Sequence, residues 1–133
     1  MSSNLEKKLR DERYRFFEKT LEKNSILFMG HHLDDLIETF FLRALRGSGI
    51  EGLSSIPKER ALGKGMLVRP FLNISKSKIL ARAKKDKLKF IKDPSNKDTS
   101  FDRNYLRNEI LPEIEKRWPS YRKNLNQLIE NLK

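Results

Sequence analysis

Cysteine is absent from this sequence of 133 residues. Its absence excludes disulfides, thiolate catalysis, zinc–thiolate sites and iron–sulfur clusters. It fits a reducing compartment: the cytoplasm, or the stroma or matrix of an organelle. No apolar run approaches the ~20 residues that span a bilayer. The N-terminus is polar and charged, with no apolar core for a signal peptide, so no membrane partner is expected. Phosphate-binding loops are missing too: there is no GxGxxG, no Walker loop and no Ser-Gly-Gly-x-Asp-Ser. Any phosphate cradle must come from elsewhere.

Acidic residues are outnumbered. Lys and Arg total 29 against 18 Asp and Glu, giving a net charge of +11. Two readings stand: a polyanionic partner, nucleic acid foremost, or a solvated lysine-rich surface. The length suits one domain, or part of one.

Three of the acids stand close together beside both histidines. Gly30-His31-His32-Leu33-Asp34-Asp35-Leu36-Ile37-Glu38-Thr39 holds two imidazoles and three carboxylates. Asp34 and Glu38 are four apart and Asp35 and Glu38 three apart, spacings at which like charges weaken a helix. Such a cluster is easier to carry if it holds something positive, a metal ion or an ammonium group. It follows the apolar run Ser25–Gly30, which reads as a strand of a parallel sheet buried on both faces. In open α/β sheets, ligands lie beyond the carboxyl ends of the strands, and a helix start there favours ionised carboxylates. Asp34 and Asp35 point about 100° apart, so one can face a site while the other caps the helix. The alternative is that His31 and His32 pack and the carboxylates only cap. The density of titratable groups favours a site.

Helices are expected over 4–23, with Ser3 and Glu6 as a capping box and Asn24 as its end; over 32–46, burying Leu33, Leu36, Ile37, Phe40, Phe41, Ala44 and Leu45; and over 76–86, capped by Ser75, with Ile79, Leu80 and Ala83 inward. Residues 50–66 read as a loop. Met66-Leu67-Val68 reads as an edge strand, Lys89-Phe90-Ile91 as extended, and Asp93-Pro94-Ser95-Asn96 as a turn. Arg103–Ile110 is helical, Pro112 restarts a helix, and 120–132 forms the last one. The parallel strand lacks obvious neighbours, so the chain reads as a piece of an α/β domain. Arg103 and Arg107 share a helix face and suit phosphate, unless that face is merely solvated. Ser95 and Asn96 are turn residues, and Trp118 and Tyr121 packing residues.

Arg13-Tyr14 with Phe16-Phe17, GHHLDDLIETFFLRALRGSGIEGLSSIP over 30–57, RPFLNISKSKI over 69–79 and DPSNKDTSFDRNYLRNEILPEIE over 93–115 run in order through nearly the whole chain. Together they resemble the tRNA(Ile)-lysidine synthetases, a family of the PP-loop, or N-type ATP pyrophosphatase, group. The resemblance implies an α/β fold: a partial Rossmann-like (adenine nucleotide alpha hydrolase-like) parallel-sheet domain, mostly helical in this stretch. Residues 1–133 would be the C-terminal part of the catalytic domain, with 98–133 a helical extension. It implies a ligase reaction, in which ATP adenylates C2 of the wobble cytidine of tRNA(Ile), an amine of free lysine attacks that carbon, and AMP leaves.

The residue roles it implies are these. Asp35 and Glu38 hold the lysine. His31, Asp35 and Arg103 are catalytic. His32, Arg43, Arg46, Arg103 and Arg107 face nucleotide, phosphate or tRNA. No metal site is expected in the chain itself. ATP with Mg2+ would need the Ser-Gly-Gly-x-Asp-Ser loop, which an upstream polypeptide would supply. Members usually have Thr at Met29 and Gln at Leu36. Three rivals remain: another PP-loop tRNA enzyme, whose thiolating members rely on the cysteines missing here; a noncatalytic RNA-binding module; and a His/Asp metal site.

Overall fold

The computed structural model describes residues 2–54 and 56–133, with side chains from Asn4. Two compact units form. One comprises the residues up to Gly30 together with Pro57–Pro70, the other His31–Ile56 with Phe71–Lys133. Among the described residues no helix is long and apolar enough to cross a membrane.

The first unit holds α1 (Ser2–Thr20) and a three-stranded sheet of β1 (Ile26–Phe28), β2 (Glu59–Leu62) and β3 (Gly65–Val68), in the order β1-β3-β2. α1 contains Ser3, whose side chain lies outside the described ones, so the expected capping box is not settled. The helix stops earlier than the apolar spacing suggests. Thr20 turns its hydroxyl back onto the Phe16 carbonyl at 2.8 Å, and Asn24 enters the left-handed region at φ 65° four residues after the helix end.

The sheet corrects two expectations. Met66-Leu67-Val68 is not an edge strand but the central one, parallel to β1 and antiparallel to β2. Leu67 is fully buried there. β2 lies inside the stretch read as loop. Its glycines hid a hairpin: Leu62 pairs with Gly65, and the two-residue turn between them puts only Gly63 at positive φ, 55°. A Cβ at Gly63 would meet the Glu18 carbonyl oxygen at 2.5 Å, so close approach as well as conformation calls for glycine. β1 is parallel as expected but not buried on both faces. Ile26 and Phe28 are 54% and 66% exposed, with β3 along one edge. An apolar run encodes strand propensity; burial also needs a layer against each face.

The second unit is helical: α2 (Leu33–Leu45), α3 (Ile50–Leu53), α4 (Lys76–Lys85), a 3-10 turn at Pro94–Lys97, α5 (Asp102–Tyr105), a π-helical segment at Leu106–Ile110, α6 (Leu111–Arg117) and α7 (Tyr121–Leu132). Leu33, Leu36 and Ile37 of α2 pack with Leu72, Leu106, Leu111, Tyr121 and Ile129 in one core. Ala44 and Leu45 lie outside it, Leu45 being 76% exposed. They fall on the last turn, where α2 has passed the core. Tyr121 packs as expected, whereas Trp118 is 64% exposed. Ser75 caps α4 through Lys78 N–H, at 3.4 Å. Leu80 points outward, 41% exposed.

Candidate functional site

The site grows from the first two turns of α2. His32 is the N-cap, and its Nδ1 accepts from the Asp35 N–H at 3.4 Å. The Asp35 carboxylate accepts in return from the His32 N–H at 2.9 Å. This is a capping box with histidine in the place usually held by serine or threonine, and it satisfies two of the free donors of the helix start. Accepting at Nδ1 leaves the proton of the neutral ring on Nε2. His32 is thereby a capping residue, which the ligand role implied for it did not foresee. The pattern His-x-x-Asp before an apolar run was the available signal.

Asp34 turns the other way. One oxygen accepts from the Lys76 N–H at 3.0 Å, and the other lies 3.3 Å from Arg122 Nε. A carboxylate at the first N–H of α4 also meets the positive end of that helix. Arg122 reaches Glu115 at 2.7 Å as well. Asp34 thus ties α2 to α4 and α7. Arg122 is 88 positions away from Asp34 in sequence, and no local pattern announces the pair.

Glu38 is completely buried. Its carboxylate is gripped by Arg107, Nε donating at 2.8 and 3.1 Å and Nη2 at 3.0 Å. Such a fork is among the strongest charge-assisted arrangements. Burial pushes the Glu38 carboxyl above its ordinary range, against the pull of Arg107. Burial acts against the Arg107 charge too, but the bond to Glu38 and the charges of Glu38, Asp35 and Asp34 outweigh it and raise its pKa further. The cation that the acidic spacing calls for is therefore present in the fold, as guanidinium, and Arg107 also stands 3.8 Å from Asp35.

Arg103 differs. Nη2 donates to Thr39 Oγ1 at 2.9 Å and Nη1 to the Asp35 carbonyl at 3.4 Å. Both acceptors are neutral, and among the described residues no carboxylate lies within ion-pair distance of this half-buried guanidinium. The sequence reading missed Thr39 as its support. The π-helical segment carries Arg107. The extra residue in that turn re-aims it relative to Arg103, and both still converge on α2. Arg43 donates to the Gly52 carbonyl at 2.8 Å and closes the loop after α2. Arg46 makes an exposed pair with Asp102 at 3.5 Å. His31 is half-buried beside the cap. Asp93 caps the 3-10 turn through the Ser95 N–H. Among the described residues, no group of His, Asp and Glu able to hold a metal ion occurs.

Chemically, the arrangement is an anion-ready arginine beside a carboxylate-lined helix start. The PP-loop domain family matches residues 1–114, and the chain belongs to it. It is 45% identical over 130 residues, 98% of its length, to the tRNA(Ile)-lysidine synthase of Pseudomonas putida. It is 47% identical over 123 residues to that of Buchnera aphidicola, and 41% over 126 residues to that of Legionella pneumophila. The chain spans about 30% of the length of the curated relatives it matches.

Proposed function

We propose that this chain is the lysine- and base-handling part of an enzyme that ligates lysine to C2 of the wobble cytidine of tRNA(Ile), with ATP as the activating substrate. The observation that carries the reading is the convergence of Asp35, Glu38, Arg103 and Arg107 on the first turns of α2. The similarity to lysidine synthases over nearly the whole chain supports it.

Within this proposal Asp35 is the contact for the lysine ammonium. Its side chain is 19% exposed and its carboxylate accepts from the His32 N–H at 2.9 Å, with Arg107 no nearer than 3.8 Å, whereas the carboxylate of Glu38 is gripped directly by Arg107. Glu38 acts by holding Arg107, and through it sets the charge beside Asp35. An ammonium has no lone pair, so the attacking nitrogen must first give up a proton, and in this reading Asp35 takes it. Arg103, held by neutral acceptors, would neutralise the phosphate of the activated base and of the departing AMP. His31 lies next to this centre.

In this reading ATP with Mg2+ would be gripped by a Ser-Gly-Gly-x-Asp-Ser segment from an upstream polypeptide. The test is lysine incorporation into tRNA(Ile) by the chain completed with such a segment. We expect ATP-dependent incorporation that falls at least about ten-fold in Asp35→Asn, since a charge-assisted bond contributes roughly 1.5–3 kcal/mol. Incorporation indifferent to Asp35→Asn would overturn the assignment.

A further inference from the structure

The densest run of basic residues lies along α4 and the segment after it. Residues 76–92 carry eight basic side chains and a single acid, Asp86, which is tied to Arg82 at 2.8 Å. Most of the net charge of +11 is therefore held in one short stretch.

The backbone folds this stretch onto itself. α4 ends with Lys87 in the left-handed region at φ 54°, the Lys87 N–H on the Lys84 carbonyl at 3.1 Å, and the Leu88 N–H on the Ala83 carbonyl at 2.9 Å. This is a Schellman turn with lysine in the usual glycine position. It sends the chain back so that Leu88 and Phe90 lie alongside Leu80. The three form the floor of a surface groove of about 430 Å3, and Lys84, Lys87 and Lys92 form its rim. Leu88 and Phe90 are 61% and 56% exposed.

Neither ingredient is informative alone. Exposed lysines are ordinary, and scattered exposed apolar residues need no explanation. Here an aromatic face sits open inside a ring of lysines with no carboxylate on the groove. A protein partner's apolar segment would leave those ammonium groups beside a surface that does nothing for them. An unpaired nucleotide satisfies both, its base stacking on Phe90 and its flanking phosphates meeting the lysines.

We propose that the α4–Phe90 groove is a docking site for an unpaired nucleotide of an RNA, with base stacking on Phe90 and phosphates on Lys84, Lys87 and Lys92. The proposal rests on the tRNA reading above and adds where on the chain an RNA lies.

The experiment measures anisotropy of a short fluorescein-labelled oligouridylate and of a tRNA(Ile) transcript across a salt series, with thermal melts confirming that each variant folds. Phe90→Ala is expected to weaken oligouridylate binding at least about five-fold, the loss of one stacked base. The double variant Lys84→Gln/Lys92→Gln should flatten the slope of log affinity against log salt by about 1.4, two phosphates on a single strand. Lys7→Gln/Lys8→Gln, an equal charge loss on α1, should leave both nearly unchanged. If the wild type binds the RNAs while the groove variants bind equally well, the groove assignment falls and the tRNA reading stands. If the wild type binds no tRNA at low salt, the tRNA reading falls for this chain and the groove with it. If Phe90→Ala leaves RNA binding intact but abolishes concentration-dependent self-association, the groove is a protein interface and the proposal is overturned.

Discussion

The start of α2 and the run from Lys76 to Lys92 carry opposite charges and handle them in opposite ways. At α2 the two outer acids have arginine partners from distant helices: Asp34 meets Arg122 and Glu38 meets Arg107. The fold has neutralised what the sequence crowds together. Along 76–92, among the described residues, Arg82 alone pairs with a carboxylate, and the lysines beyond Lys76 face solvent. Charge that is matched internally supports the fold. Charge left unmatched, beside an open aromatic ring or on the clamped Arg103, is available to a ligand. Arg103 and Arg107 repeat the contrast within one helical stretch.

The contrast can be broken by mutation. Arg107→Ala strands a completely buried carboxylate and should cost about 3–5 kcal/mol in urea unfolding. Lys84→Ala should stay within about 0.5 kcal/mol. If the two cost the same, burial at Glu38 does not decide the matter.

Arg122→Ala removes the partner of both Asp34 and Glu115. Arg122 is 29% exposed, which screens the loss, so about 1 kcal/mol is expected from the same unfolding curves. Lys87→Gly should act in the opposite direction. It relieves the left-handed turn and should stabilise by about 0.5–1 kcal/mol, measured as a raised melting temperature.

Acid should sharpen the picture further. Burial raises the Glu38 pKa, so Glu38 favours the native state most when protonated, at and below the ordinary glutamate range, and that contribution is lost as pH rises through its folded value. Asp93 and Asp98 behave oppositely. Bonds from Ser95 and Ser100 lower their pKa values, so their contribution is present above the ordinary aspartate value and lost as pH falls below it. On acidification, carboxyl NMR titration should show Glu38 protonating before Asp93 and Asp98. The reverse order would mean that Glu38 is better paired than it is desolvated.

Much of this was legible in the sequence. The acidic helix start, the strand before it, Ser75 as a cap and the Asp93 turn are local patterns, and each formed where its residues placed it. The hairpin of β2 and β3 was hidden because Gly63 and Gly65 look like loop residues until the strands pair around them. The partners of the acids were the least legible. Arg107 and Arg122 meet α2 only after α5, α6 and α7 have packed on it, and no spacing along the chain encodes that. For the same reason the crowded carboxylates correctly signalled a cation, while the identity of that cation as arginine emerged only from the fold.

The central claim is that Asp35, held by the His32 N–H and approached by Arg107 only at 3.8 Å, receives a lysine ammonium while Glu38 is satisfied by Arg107. The most direct measurement is an amide NMR titration of the chain with free lysine, alongside norleucine, which lacks the side-chain ammonium, and with Asp35→Asn as the control protein. The account predicts saturable shifts confined to the first turns of α2, absent with norleucine and lost in Asp35→Asn. Equal shifts with norleucine, or shifts that persist in Asp35→Asn, would contradict it.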